Sequence, residues 1–210
     1  MPTDIPVSNM GLLAFREAAE EILKDAGESI RTIPVDQIES MVDVLLKAMK
    51  KKILIIGTGR SGLVGRSFAM RLMHLGYEVH VLGETITPAI GKGDIVIAIS
   101  GSGATMLPVT SAKIAKKVGA FIVAVTSKPK SPLGKIADQV VHIRAKSKAA
   151  KQKDFFLRQI VGEHESLAPL GTMFEISATI FFDSLIVELM RKLGKTEGEL
   201  RARHATLEGL

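Results

Sequence analysis

Apolar side chains in the first fifty residues recur at the spacing of two amphipathic helices. Within residues 10–25 they fall at Leu12, Leu13, Phe15, Ala19, Ile22 and Leu23. A second helix is predicted from Val35 to about Lys50, because acidic residues in its first turn suit the positive end of a helix dipole. We therefore expect an N-terminal helical segment at residues 1–40 and a single globular unit at residues 41–210.

From residue 53 onward the pattern changes to short continuous apolar runs that are rich in valine and isoleucine. Such runs are typical of strands buried on both faces, and therefore of a parallel sheet. They lie at residues 53–56, 78–82, 95–99, 121–125 and 139–143. Helices are predicted between and after them, at about 61–75, 105–118, 133–137, 172–193 and 196–207. The alternation of strand and helix predicts a doubly wound α/β domain.

Composition removes several classes of function. The chain has no cysteine, so it has no disulfide framework, thiolate nucleophile or cysteine-based zinc site. It has no tryptophan and one tyrosine, which disfavours a stacking platform for single-stranded nucleic acid. Residues 1–9 lack the pattern of a signal peptide, and charged Asp183 and Glu188 interrupt the apolar stretch 176–190. We expect a cytoplasmic protein with no membrane and no nucleic-acid partner.

The formal net charge of +6 is partly concentrated in one stretch. Between Arg144 and Lys153 there are five basic residues and no acidic one. Two interpretations of this basic loop stay open, a solvated surface segment or a rim that attracts anionic substrates. No recognisable nucleic-acid-binding module accompanies it.

A glycine-rich turn follows the first predicted strand, with the sequence Gly-Thr-Gly-Arg-Ser-Gly at 57–62. It matches the dinucleotide-binding fingerprint, but such a site needs an acidic residue at the end of the second strand. Glu78 lies at the start of that strand, and Glu84 comes late, beyond a glycine. No Gly-Lys-Ser/Thr follows, so a Walker-type loop is excluded.

A second loop of small residues, Ser-Gly-Ser-Gly-Ala-Thr at 100–105, follows the third predicted strand. Hydroxyl groups and a helix N-terminus suit an anion, although an ordinary turn with a capping hydroxyl is the alternative. Because both loops follow parallel strands, they are expected to meet in one crevice that holds a phosphomonoester. The predicted substrate-binding residues are Gly59, Arg60, Ser61, Ser100, Gly101, Ser102, Gly103, Ala104 and Thr105.

Roughly residues 40–208 resemble sugar isomerase (SIS) domains, and most closely those of 6-phospho-3-hexuloisomerases. Besides the two loops, the resemblance rests on the segments 69–76, 83–90, 169–175 and 203–208. It implies a flavodoxin-like sheet of five parallel strands flanked by helices, assembled as a dimer or tetramer. One departure is Ala104, where many relatives have glutamate.

The resemblance also implies an activity. Members interconvert D-arabino-3-hexulose 6-phosphate and D-fructose 6-phosphate through an enediol, without cofactor or metal. The reaction belongs to the ribulose monophosphate pathway, in formaldehyde fixation or pentose phosphate synthesis, beside a 3-hexulose-6-phosphate synthase. The alternatives are another sugar-phosphate isomerase, such as an arabinose 5-phosphate isomerase, or a non-catalytic module that senses a sugar phosphate.

Two residues match catalytic positions of the family. Glu175 matches the proton acceptor, and His204 is expected to act as a second acid or base, from its own or a neighbouring subunit. Each has a structural alternative. Thr172 and Glu175 have the spacing of a capping box, and His204 near a helix C-terminus is favourable by itself. The helix dipole is expected to lower the pKa of Glu175.

Overall fold

The computed structural model describes residues 7–145 and 167–204 of the chain, which form a three-layer α/β structure. Its sheet has five strands in the order β2-β1-β3-β4-β5, and every neighbouring pair is parallel. The strands are β1 (Lys52–Gly57), β2 (Glu78–Val81), β3 (Ile95–Ile99), β4 (Phe121–Thr126) and β5 (Gln139–His142). This is the flavodoxin-like order, so the fold predicted from the sequence is confirmed.

Seven helices among the described residues cover the sheet and extend from it. They are α1 (Val7–Arg31), α2 (Val35–Lys47), α3 (Arg60–Leu75), α4 (Met106–Lys117), α5 (Pro132–Ile136), α6 (Thr172–Leu193) and α7 (Glu197–Arg201). Helices α2, α3 and α6 cover one face, while α4 and α5 cover the other. Helix α1 packs on α6. No helix in the described part of the chain is long and apolar enough to cross a membrane.

The continuous apolar runs arise because both faces of the sheet are buried. In β1, Ile53 and Ile55 contribute to the core beneath α2, α3 and α6, while Leu54 and Ile56 contribute to the core beneath α4 and α5. Strand β3 is buried at every position. Alternate side chains of one strand point to opposite faces, so an apolar run without polar interruption is what this layering requires.

Helix boundaries differ from the predictions mainly at the two ends of the chain. Helix α1 extends over 25 residues and passes both predicted limits. Helix α2 ends at Lys47, and α7 is a single short turn from Glu197 to Arg201. The predicted end of the last helix, at residue 207, lies outside the described residues. The division of the chain at residue 40 stays a prediction.

The turn from β1 into α3 depends on a close approach of two glycines. A Cβ atom on Gly57 would lie 2.8 Å from Cα of Gly62, and both backbones would have to move apart. The glycine pattern at 57–62 therefore packs a helix start against a strand end. Together with the ends of β3 and β4, this turn forms the carboxyl edge of the sheet.

Candidate functional site

A cavity of about 410 Å³ lies at the carboxyl edge of the sheet, between the ends of β1, β3 and β4 and the start of α6. Six of the residues predicted from the sequence line it: Ser61, Ser100, Gly101, Ser102, Thr105 and Glu175. Arg60 contacts Glu175 from α3, and Gly103 is buried within the loop. Gly59 and Ala104 are exposed and do not line the cavity.

The hydroxyl groups of the loop 100–105 are bonded to one another. Ser100 Oγ accepts the amide of Gly103 at 3.1 Å and lies 3.2 Å from Thr105 Oγ1. Thr105 is the N-cap of α4, yet its side chain makes no capping bond. The hydroxyl groups of Ser100 and Thr105 therefore remain beside the cavity, and the alternative of an ordinary turn stays open.

The end of β4 supports this loop from behind. The carbonyl of Gly101 accepts Ser127 Oγ at 2.7 Å, the Ser127 amide at 3.1 Å and Thr126 Oγ1 at 3.2 Å. Gly103 has a φ of +61° and lies so close to Ser131 that a Cβ atom would overlap that side chain. Only glycine meets both requirements at position 103.

Glu175 is positioned by a different arrangement from the predicted capping box. The N-cap of α6 is Gly171, with a φ of +88° and no side-chain capping bond, so the capping-box interpretation of Thr172 and Glu175 is wrong. Glu175 Oε2 lies 3.0 Å from Arg60 Nε. Arg60 also donates to the carbonyl of Leu170. The guanidinium group therefore ties the first turn of α6 to the start of α3.

The pKa of Glu175 is raised above its ordinary value of 4.5. Burial is the larger cause, since the side chain is only 17% exposed, and the positive charge of Arg60 opposes it. The expected lowering by the helix dipole therefore does not decide the direction of the shift. A carboxyl group with a raised pKa takes up and releases protons nearer to neutral pH, as a general base must.

His204 lies away from this cavity within one subunit. Its ring stacks on buried His74, with ring centroids 3.9 Å apart. Helix α3 runs fourteen residues from Arg60 to His74, which is about 21 Å at 1.5 Å per residue. The structure therefore does not bring His204 and Glu175 together in one copy of the chain.

The remaining histidines and basic residues are placed as follows. His80 is paired with Glu78 at 3.6 Å, and His142 is half-buried at the end of β5. His164 and most of the basic loop 144–153 lie outside the described residues. Within the described part of the chain, no group of three or more histidine, aspartate or glutamate side chains is arranged to hold a metal ion.

Sequence reasoning missed three polar side chains that line the cavity, those of Thr58, Ser127 and Lys128. Thr58 belongs to the first glycine-rich turn, and the other two follow β4 directly. These residues were predictable in part from the sequence, because polar residues that follow a parallel strand lie at the ligand-binding edge of the sheet. Identifying Lys128 also required the strand order, since only the pairing of β3 with β4 places Lys128 beside the loop 100–105.

The chain is similar in sequence and structure to proteins of one family. The family model of the SIS domain matches residues 48–173. The chain is 35% identical to the 3-hexulose-6-phosphate isomerase of Bacillus subtilis, covering 91% of this chain and 98% of that protein. An uncharacterized protein of Aeropyrum pernix is 50% identical, with 86% of each chain covered.

One solved structure is similar to this chain in its three-dimensional fold as well as in sequence. It is a hypothetical protein of Methanococcus jannaschii whose crystal structure was reported to infer the molecular function of a 3-hexulose-6-phosphate isomerase. The TM-score is 0.71 with 37% identity, over 90% of this chain and 96% of that one.

Proposed function

Since this chain belongs to the SIS domain family, we propose that it is a cofactor-free isomerase that interconverts D-arabino-3-hexulose 6-phosphate and D-fructose 6-phosphate. The observation that carries the proposal is the half-buried carboxylate of Glu175 in the same cavity as a loop of hydroxyl groups. Relatives named 3-hexulose-6-phosphate isomerase support this choice of substrate. The sheet edge thus offers a base and an anion site side by side.

The phosphate is held by the loop 100–105. The hydroxyl groups of Ser100, Ser102 and Thr105 donate to phosphate oxygens, and the small residues between them leave room for it. Ser61 adds a hydroxyl group from the start of α3, and Lys128 adds a positive charge from the end of β4. This assignment extends the predicted set by one residue, Lys128.

Glu175 acts as the base. It removes the proton from C2 of the 3-hexulose, the electrons form the C2–C3 double bond, and the C3 oxygen becomes an enediolate oxygen. The hydroxyl proton of the C2 oxygen passes to the C3 oxygen, the proton held by Glu175 returns to C3, and the C2 oxygen becomes the carbonyl of fructose 6-phosphate. Atoms and electrons balance without a redox partner. The positive charge of Arg60, whose Nε is 3.0 Å from Glu175 Oε2, supports a role for it in stabilising the enediolate.

His204 assists from a second copy of the chain. Because His204 and Glu175 are far apart within one subunit, an acid–base role for His204 requires a homo-oligomer, such as the dimer or tetramer expected from the resemblance. The substrate arises from an aldol addition of formaldehyde, so coupling to a 3-hexulose-6-phosphate synthase is part of this proposal.

The test is proton NMR of D-fructose 6-phosphate in D2O with purified protein and a metal chelator. Wild-type protein is expected to remove the C3 proton signal and to form a 3-hexulose species. Glu175→Gln is expected to abolish both changes. Burial disfavours the ionised carboxylate, so the neutral glutamine is expected to fold. Glu188→Gln is the matched control, because Glu188 is on the same helix and pairs with Arg191 at the surface.

Other outcomes lead to the alternatives. Exchange with a pentulose phosphate and not with fructose 6-phosphate would indicate a pentose phosphate isomerase, such as an arabinose 5-phosphate isomerase. Binding of fructose 6-phosphate without any exchange would indicate a sensing module. Full activity of Glu175→Gln would contradict the assignment of the base.

A further inference from the structure

A second, more open cavity of about 640 Å³ adjoins the first at the carboxyl edge of the sheet. The two cavities share Ser102, Ser127 and Lys128 as a common wall. Lys130 and His142 line the second cavity only. Glu175, the proposed base, lines only the first cavity.

Among the described residues, the charged side chains that line this cavity are lysines. From Ile95 to Ala137 the chain contains six lysines and no aspartate or glutamate. Asp94 and Asp138, which flank this segment, are bonded to backbone amides and to Lys52 and Lys116, which line neither cavity. Within the described residues neither Lys128 nor Lys130 pairs with a carboxylate. Both ammonium groups are therefore available to an anion at this cavity.

His142 reports the same positive potential. Its pKa is lowered, mainly by burial and further by the charges of Arg144 and Lys128, against an opposing hydrogen bond with the backbone of Ser127. The neutral form of the ring is therefore favoured. In that form the ring can form hydrogen bonds and adds no positive charge to those of Lys128 and Arg144. An anion in this cavity relieves the repulsion among the basic groups around it.

The proposed substrate leaves the charge of Lys130 unused, because Lys130 lines only the second cavity. That substrate carries one phosphate, and its reacting carbons have to reach Glu175, which does not line the second cavity. We propose that the second cavity is an anion subsite, so that a ligand with two adjacent phosphoryl groups spans both cavities and competes with the sugar phosphate. One group rests on the loop 100–105, the other rests on Lys130, and Lys128 lies between them in the wall that the two cavities share. The inference depends on the loop as a phosphate site and not on the isomerase reaction.

The test is titration calorimetry with inorganic pyrophosphate and with inorganic phosphate, without divalent metal. Wild-type protein is expected to bind pyrophosphate at least about tenfold more tightly than phosphate, as expected for an added charge-assisted contact. Lys130→Gln is expected to remove most of this difference and to leave phosphate binding nearly unchanged. Lys113→Gln, in the same acid-free segment but outside both cavities, is expected to behave as wild type.

Three results would overturn the proposal: equal affinity of the wild type for the two anions, no effect of Lys130→Gln, or an equal loss for both anions in that variant. The last would identify Lys130 as a source of general attraction at the entrance. A parallel titration with D-fructose 6-phosphate separates this question from the proposed function. Exchange of the fructose 6-phosphate proton without any preference for pyrophosphate would overturn the subsite alone, and a preference for pyrophosphate without exchange would overturn the isomerase alone.

Discussion

Glu175 illustrates how a single side chain takes its chemistry from its neighbours. From the sequence alone, Glu175 is a candidate for two roles, a helix cap and a base. The dipole of the helix favours a low pKa for its carboxyl group. In the structure Gly171 occupies the capping position, and Arg60 pairs with the freed carboxylate. Burial then moves the pKa upward despite that positive charge. The balance of burial against one guanidinium group sets the pH at which this carboxylate is ionised.

Replacing Arg60 is expected to shift the pH dependence of the proposed reaction. The base acts when ionised, so kcat/KM falls as pH falls through the pKa of Glu175, above 4.5. Arg60 lowers that pKa, and Arg60→Gln is therefore expected to move the acid limb to higher pH. The measurement is kcat/KM for fructose 6-phosphate between pH 4.5 and about 8.

Arg66→Gln is the matched control, since Arg66 is on the same helix and points to Glu84. Its acid limb is expected to coincide with that of the wild type. An acid limb of Arg60→Gln at the wild-type position, or at lower pH, would show that Arg60 does not act on the base.

Helix starts show how similar sequences lead to different caps. Both Thr172 and Thr196 precede glutamate by three residues. At α7 the capping box forms, because the Thr196 side chain accepts the Glu199 amide and Glu199 accepts the Thr196 amide. At α6 Gly171 takes the N-cap position, and the carboxylate of Glu175 faces the cavity. The carboxylate of Glu175 pairs with Arg60 of α3 instead of forming a capping bond within α6.

The two threonines are expected to respond differently to alanine. Thr196→Ala removes a side-chain cap and is expected to lower the free energy of unfolding by about 1 kcal/mol. Thr172→Ala removes no capping bond and is expected to cost less than about 0.5 kcal/mol. Urea unfolding followed by circular dichroism measures both. A larger loss for Thr172→Ala would mean that the predicted capping box exists in solution.

At the scale of the molecule, the two predicted catalytic residues lie at opposite ends of the sheet. Its carboxyl edge collects the loops after β1, β3 and β4 into the cavity with Glu175. Because α3 runs back across the sheet, it delivers His74 and the stacked His204 to the opposite end. One subunit therefore holds the proposed base, and any role of His204 in the same reaction belongs to an assembly.

This separation predicts complementation between inactive variants. Glu175→Gln and His204→Gln chains, co-expressed with different tags and purified together, are expected to regain activity. If each site takes Glu175 from one chain and His204 from its neighbour, random mixing restores about one quarter of the sites. Each variant assembled by itself is the control. Activity of the mixture no higher than that of the separate variants would contradict a shared site.

The apolar runs and the glycine-rich loops could be interpreted from the sequence because they reflect local requirements. A strand buried on both faces needs an unbroken run such as Ile95–Ile99, and the close approach of Gly57 and Gly62 needs glycine. The fold and the loop 100–105 as a candidate site followed from these patterns, whereas Glu175 became a candidate through the motif resemblance. The motif resemblance then connected them to sugar phosphates.

Contacts between distant segments were decided only by the tertiary structure. The pairing of Arg60 with Glu175 joins residues more than a hundred positions apart, and Lys128 reaches the cavity because β4 pairs with β3. The direction of the Glu175 pKa shift and the distance of His204 from the cavity have the same origin. A pKa and a distance depend on what surrounds a side chain in space, whereas propensity and periodicity report only its neighbours along the chain.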